Sequence, residues 1–375
     1  MNRRSFIKML FVSAVGLAGM RPKKAFGEST LTLTQDVVYD FTNRVIDNLS
    51  PIKNLSISKL NKFCEVPGKT AGYIVDLQMG NIPHGYIIIV KDCPGLLSEF
   101  NFEENSVSPA CELGSVYLDA HKFDSTTPFI KMDSLNYGLI DISTGNIYST
   151  LTGLAGSNAL KEANPASYDP GSWEDATVSW EAVHSDYQVK QESSVDPFRF
   201  ISESTVESKA KKYACVVSSL YAIGQHYGIA PYGDTRFNTL IYNDLWNRTK
   251  TSVEYSSNGI NYGTTPNSMI GPGFVNYAKS KNVNVSYIYN PNSPSPQQFI
   301  DSVNRKSLST FMSAVFNNGS KQGHCVTVQG YMTATPKGGS TPSYFFCIFD
   351  GWYSNARWIN YRYKNFLYRE GVFFK

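Results

Sequence analysis

Residues 212–228 read KYACVVSSLYAIGQHYG, and this stretch decides the fold of the second half of the chain. Small and apolar residues follow Cys215 in the manner of a helix packed closely against its neighbours, and Gly228 stands where a helix C-terminus favours glycine. We therefore predict a helix that begins near Cys215. A thiol in the first helical turn lies at the positive end of the helix dipole, so the pattern also predicts a lowered thiol pKa.

A nucleophilic cysteine needs a base, and His324 is the best placed of the five histidines. It opens a strand-like run, GHCVTVQGY, and a second run, SYFFCIFDGW, follows a turn that contains Gly and Pro. If the runs form a hairpin with His324 opposite Asp350, both side chains share one face. Asp350 would then orient the imidazole, and Trp352 would keep water from their hydrogen bond.

Each of these residues also has a purely structural interpretation. Cys215 could be a core cysteine, His324 a hydrogen-bonded strand histidine, and Asp350 the first residue of an Asp-Gly turn. In the same hairpin register Cys325 would face Phe349, which predicts two buried core thiols rather than a disulfide with the second-strand cysteine at position 347. One disulfide among Cys64, Cys93 and Cys111 remains open, and His226 is interpreted as structural.

The order of these motifs resembles the papain-like cysteine peptidases: a cysteine at a helix N-terminus, then Gly-His-x-Val at 323–326, then Asp-x-Trp at 350–352. Among them, the second half is most similar to the bacterial streptopain and bacteriocin-processing types. The resemblance implies Cys215 as nucleophile, His324 as general base and Asp350 as the residue that orients it. It implies no metal and no organic cofactor.

A second resemblance lies in the first half of the chain. The runs GYIIIVK at 85–91, LLSEFN at 96–101 and YGLID at 137–141 are similar to the propeptide of streptopain-like enzymes. Together the two resemblances imply an α+β chain. An antiparallel-sheet pro-domain with a helix would precede a peptidase domain whose central helix packs on an antiparallel sheet.

The sequence departs from the papain pattern at the oxyanion hole. The usual glutamine, about six residues before the nucleophile, is replaced by Lys209. The backbone N–H of Cys215 could still donate, and Gln188 and Gln191 are candidates for the second donor. Loss of one such donor typically lowers the rate by about 10² to 10³.

Periodicity divides the rest of the chain. Apolar positions from Val38 to Leu49 recur at helical intervals, with Thr32 and Gln35 at capping-box spacing, and short β-like runs at 72–78, 85–91 and 96–102 predict an antiparallel meander. Further helices are predicted at 267–281 and 295–305, before strands that fill 309–374. We assign a signal peptide to 1–27, a pro-domain to 28–150, a linker to 151–172 and a peptidase domain to 173–375.

The N-terminal 27 residues carry six basic side chains and no acidic one, ahead of and behind an apolar stretch at 9–20. The order Arg-Arg-x-Phe-Ile-Lys resembles a twin-arginine export signal, with an ordinary secretory signal as the alternative. Without this segment the net charge falls from +3 to −3, which argues against nucleic acid as a partner. No other run approaches about 18 apolar residues, so we predict no membrane span in the mature chain.

The sequence therefore predicts an exported cysteine endopeptidase, periplasmic or extracellular, made as a zymogen. Its partners would be a peptide or protein substrate and its own pro-domain as intramolecular inhibitor, and we expect a monomer. Two alternatives stay open: an amidase or acyltransferase on the same fold, and a catalytically degenerate secreted binding protein.

Overall fold

The computed structural model describes most of the chain beyond residue 29, with gaps; its residues are 30–66, 69–111, 127–131, 135, 137–141, 147–149, 171, 173–184, 186–195, 201–317, 320–336, 341–352, 356–362 and 369–375. The predicted signal peptide, and the predicted linker except Gly171, lie outside these residues. In the described part of the chain no helix is long and apolar enough to cross a membrane.

The described helices are α1 (Gln35–Leu49), α2 (Trp180–Val183), α3 (Glu203–Ala210), α4 (Cys215–His226), α5 (Thr239–Arg248), α6 (Asn267–Ser280) and α7 (Pro296–Asn304). The strands of the first half are β1 (Thr30–Thr32), β2 (Ser56–Val66), β3 (Lys69–Met79), β4 (Ile82–Val90), β5 (Leu97–Asn101), β6 (Phe129–Lys131), β7 (Tyr137–Ile140) and β8 (Ile147–Ser149). The strands of the second half are β9 (Thr177–Ser179), β10 (Tyr187–Ser194), β11 (Lys212–Tyr213), β12 (Ser252–Ser257), β13 (Ile260–Thr264), β14 (Tyr287–Asn290), β15 (Ser309–Asn317), β16 (Ser320–Pro336), β17 (Ser343–Phe349), β18 (Arg357–Asn360) and β19 (Arg369–Phe374).

The architecture is α+β, as the sequence predicts. One large sheet runs in the order β14-β19-β15-β16-β17-β18-β5-β4-β3-β2-β6-β7-β8, and β10 pairs with the far end of β16. Its pairs are antiparallel except β2 with β6. A small sheet, β11-β13-β12, lies beside the start of α4, and β1 pairs with β9.

The predicted meander is confirmed as β3, β4 and β5, and the first predicted helix as α1. Its cap differs from the expectation: Thr34 rather than Thr32 accepts the hydrogen bond from the Val37 N–H. The run GYIIIV lacks polar alternation because both faces of β4 are buried. Ile88 packs in the core beside α4, whereas Ile87 and Ile89 pack in the core beside α1.

The two halves of the chain share this sheet. Strand β18 of the second half pairs with β5 of the first, with Trp358 opposite Phe100 and Ile359 opposite Glu99. Both cores also mix residues from the two halves; the core on the α1 side, for example, includes Phe345. All six cysteines are thiols, so the disulfide left open in the first half is not formed.

Candidate active site

Helix α4 is docked on β16 by two reciprocal hydrogen bonds. Ser219, one turn after Cys215, donates through Oγ to the carbonyl oxygen of Cys325 at 3.1 Å, and Thr327 Oγ1 donates to the carbonyl oxygen of Ser219 at 3.2 Å. These bonds fix the rotation of the helix against the strand. As a result the first helical residue, Cys215, lies beside the segment of β16 that carries His324.

Backbone donors lie near the Cys215 sulfur. The N–H groups of Cys325, the residue after His324, and of Val216 and Cys215 favour its thiolate form and lower its pKa. The cap residue Ala214 offers no side chain to these first-turn donors. The arrangement suits a thiolate or an oxyanion, because both are anions at a helix N-terminus.

The predicted lowering of the Cys215 pKa is nevertheless wrong for this conformation. Burial, together with the charge of the nearby Glu203, outweighs the backbone donors and raises the pKa of the thiol to about 11. Desolvation disfavours the charged form more strongly than the helix terminus favours it. The resting cysteine is therefore a neutral thiol at physiological pH.

His324 is buried and held in one tautomer. Its Nε2 lies 3.0 Å from the backbone carbonyl oxygen of Asp350. A carbonyl can only accept, so Nε2 carries the proton and Nδ1 keeps the lone pair that a general base needs. The Trp352 ring stacks on the imidazole with centroids 3.6 Å apart. Burial, together with the charge of Arg357, outweighs the hydrogen bond to Asp350 and lowers the His324 pKa to about 3, so the imidazole is neutral.

The hairpin forms with a different register from the one considered in the sequence. Phe349 lies opposite Thr327 rather than Cys325, and a bulge places Cys347 opposite Gly330. At the end of the hairpin where Phe349 pairs with Thr327, before the bulge, the observed register differs from the predicted one by two residues. Because side chains alternate along a strand, a shift of two residues leaves His324 and Asp350 on the same face, as predicted. Cys325 and Cys347 are both buried, as expected.

The Asp350 carboxylate contacts groups other than those the triad prediction named. Its Oδ2 accepts from Arg357 Nη1 at 2.6 Å, and its Oδ1 accepts from the Trp352 N–H at 2.9 Å. The backbone of residue 350 thus orients the imidazole, while its side chain shapes the turn that carries the tryptophan.

Arg357 connects this turn to the first half of the chain. Its guanidinium makes two hydrogen bonds to Glu99, from Nε at 2.6 Å and from Nη2 at 2.8 Å, and both side chains are 1% exposed. Tyr86 donates a further bond to Glu99 at 2.6 Å. Burial alone would raise the pKa of Glu99, but the positive charges of Arg357 and Lys131 outweigh it and lower the pKa.

Neither glutamine considered for the oxyanion hole lies there, and neither does Lys209, which stands at the usual glutamine position. Gln188 and Gln191 pair with Thr335 and Thr333, nine or more residues along β16 from His324. At about 3.3 Å per residue they are roughly 30 Å away. Lys209 donates from Nζ to the Asp234 carbonyl oxygen at 2.8 Å instead. The structure thus places Cys215 beside the β16 segment that carries His324, and it places neither candidate glutamine near that segment.

Two further residues adjoin the site and were not singled out from the sequence. The N–H of Glu203, the first residue of α3, donates to the Gly351 carbonyl oxygen at 3.1 Å. Gly351 has φ of +81°, and a Cβ there would lie 2.5 Å from the Tyr213 hydroxyl. Glycine is therefore required by both conformation and space. The Asp-Gly pair at 350–351 signalled a turn, but α3 is short and too polar to show helical periodicity.

Within the described residues, no group of three or more His, Cys, Asp and Glu side chains is placed to hold a metal ion.

Comparison with known proteins gives limited information. No protein-family model matches this sequence, and no curated protein sequence matches it. One solved structure to which the chain is similar is the active wild-type interpain A cysteine protease of Prevotella intermedia. The similarity covers 48% of this chain and 94% of that chain, with a TM-score of 0.33 and 11% sequence identity. At these values it establishes neither a family nor an activity.

Proposed function

We propose that the chain is a cysteine peptidase in which Cys215 attacks a peptide carbonyl and His324 transfers the proton. The observation that carries the proposal is the docking of α4 on β16 by the Ser219 and Thr327 hydrogen bonds, which places Cys215, the first helical residue, beside the strand segment of a histidine whose Nδ1 is left basic. A thiol at a helix N-terminus next to a neutral, oriented imidazole is the arrangement that nucleophilic cysteine catalysis requires.

The reaction divides into two steps. The thiol proton passes to Nδ1 of His324 as the sulfur forms a bond to the carbonyl carbon, and the imidazolium then protonates the leaving amine as the peptide bond breaks. Water, deprotonated by the same imidazole, hydrolyses the thioester and restores the thiol. The N–H groups at the start of α4 are the donors for the oxyanion in both steps.

The described conformation suits a latent form of such an enzyme. A thiol with a pKa of about 11 and an imidazole with a pKa of about 3 do not form an ion pair. The first half of the chain, 28–150, would maintain this state through the Glu99–Arg357–Asp350 connection. The proposal includes export directed by residues 1–27 and a zymogen role for the first half.

A second candidate is a secreted binding protein on a non-catalytic scaffold, and the same two pKa values favour it. An amidase or acyltransferase that uses the same residues on a different amide is a third. Incubation of the full chain, before and after limited proteolysis, with a mixed peptide library and with peptidoglycan fragments separates them. Cleaved peptides support the peptidase, released amino groups from the cell-wall fragments alone support the amidase, and no turnover of either contradicts both.

A further inference from the structure

A half-buried carboxyl group without a partner lies beside the candidate nucleophile. Within the described residues, the Glu203 side chain makes no hydrogen bond and no ion pair, although its backbone N–H is bonded to Gly351. Burial raises its pKa well above the usual value, and the negative charges of Glu207 and Asp350 add to the rise. A carboxyl that lacks any neighbouring cation is costly to ionise, and a bound cation would remove that cost.

The Tyr213 hydroxyl is a second unpartnered group at the same place. The side chain is 6% exposed, and its hydroxyl has no hydrogen-bond partner. It lies against Gly351, the residue that also accepts the Glu203 N–H. After burial, the charges that most strongly raise the Tyr213 pKa are those of Glu203 and then Cys215. The hydroxyl is therefore close enough to both the glutamate and the nucleophile to interact with their charges.

The side chains near these two groups are aromatic and acidic. Tyr262 is the register partner of Tyr213, donates to Glu207 at 2.6 Å, and stacks on Tyr255 with ring centroids 4.8 Å apart. The titratable groups that influence Glu203 or are influenced by it come from six elements and from the turn after β17. They are Glu207, Tyr213, Cys215, Tyr242, Tyr255, Tyr262 and Asp350. All of them are neutral or acidic, and aromatic faces with carboxylates favour cations.

From the contacts at Gly351 we propose that Glu203 and Tyr213 form a subsite for a cationic side chain, lysine or arginine, of a peptide bound next to Cys215. Binding at this subsite does not depend on the proposed function. The expected result of binding, which is cleavage beside the cationic residue, does rest on it. The ammonium or guanidinium group would pair with the Glu203 carboxylate and donate to the Tyr213 hydroxyl.

Binding and cleavage are measured separately to test the subsite. The full-length Cys215→Ala variant is titrated with acetylated tripeptide amides that carry lysine, arginine or norleucine at one position. We expect the lysine and arginine peptides to bind at least tenfold more tightly than norleucine at one position or more. Their affinity should rise with pH through the titration of Glu203. Equal affinity at every position overturns the subsite.

Matched variants assign the preference to the two residues. In the Cys215→Ala background, Glu203→Gln should bring the lysine-to-norleucine ratio close to one and remove its pH dependence, and Tyr213→Phe should lower the ratio severalfold. Glu254→Gln is the control, because that exposed carboxylate on β12 is not among the charges that shift the Glu203 pKa. A ratio unchanged by Glu203→Gln overturns the assignment. Selective binding of the lysine and arginine peptides without their cleavage by the wild-type chain would support the subsite and contradict the peptidase function.

Discussion

Nε2 of His324 donates its hydrogen bond to the backbone carbonyl oxygen of Asp350, across 3.0 Å. In a triad held by a carboxylate, removing the charge allows the wrong tautomer and can lower kcat by about 10⁴. A backbone oxygen is independent of the side chain, so the tautomer here does not depend on the ionisation of residue 350.

Replacement of Asp350 by asparagine should therefore be mild. The amide oxygen can still accept from the Trp352 N–H, and Glu99 still pairs with Arg357. We expect kcat/KM for a cleaved peptide to fall by about tenfold or less, in contrast with His324→Ala, which removes the base. A loss for Asp350→Asn as large as that for His324→Ala would show that the carboxylate orients the imidazole during turnover.

The Glu99–Arg357 pair predicts a large effect on stability. Glu99→Gln leaves a buried guanidinium with one carboxylate instead of two, and breaking a buried pair costs about 3 to 5 kcal/mol. Chemical denaturation of the full chain measures this difference directly. The exposed neighbour Glu104→Gln is the control and should change the free energy of unfolding by about 0.5 kcal/mol or less. Equal stability of the two variants would contradict the role given to Arg357.

The raised pKa of Cys215 predicts slow alkylation of the resting protein. With a pKa of about 11, roughly one thiol in a thousand is ionised at pH 8. The rate of carbamidomethylation at Cys215, located by mass spectrometry, should rise about tenfold per pH unit up to about pH 11. The raised Cys215 pKa also affects stability. The free energy of unfolding should fall as pH rises from about 9, where the thiol of the unfolded chain ionises, towards 11. A rate that levels off below pH 8 would contradict a buried, neutral thiol.

Cleavage between the halves should not separate them. The two halves share a sheet through β5 and β18, both hydrophobic cores and the buried Glu99–Arg357 pair. A recognition site for a specific protease, inserted within 151–170, allows the cut to be made at will. We expect the two fragments to elute together in native size-exclusion chromatography and to separate only in denaturant. Spontaneous separation would instead support simple release of a pro-domain.

The sequence predicted those features that arise from local patterns. Helix α1 and the helix at Cys215 follow from apolar spacing and terminal signals, and the hairpin follows from two strand-like runs. The shared face of His324 and Asp350 was predicted despite a register error, because a shift of two residues keeps both side chains on that face. Helix α3 was missed because its eight residues, of which Val206 alone is buried, carry no apolar periodicity.

Properties that depend on contacts between distant parts of the chain could not be predicted from local sequence patterns. The Cys215 pKa was predicted in the wrong direction, since burial is set by elements remote in sequence. Arg357 was not singled out, because its partner Glu99 is 258 residues away in the chain.

Labelling of the purified full chain with a peptidyl cysteine-reactive probe, before and after limited proteolysis and across pH, tests the central claim most directly. Wild type, Cys215→Ala and His324→Ala are compared, with the adduct located by mass spectrometry. The account predicts an adduct at Cys215 that persists well below pH 8.5 once the latent state is relieved, and that weakens without His324. Labelling at Cys215 that follows an ordinary thiol and is indifferent to His324 would contradict the nucleophile–base pair.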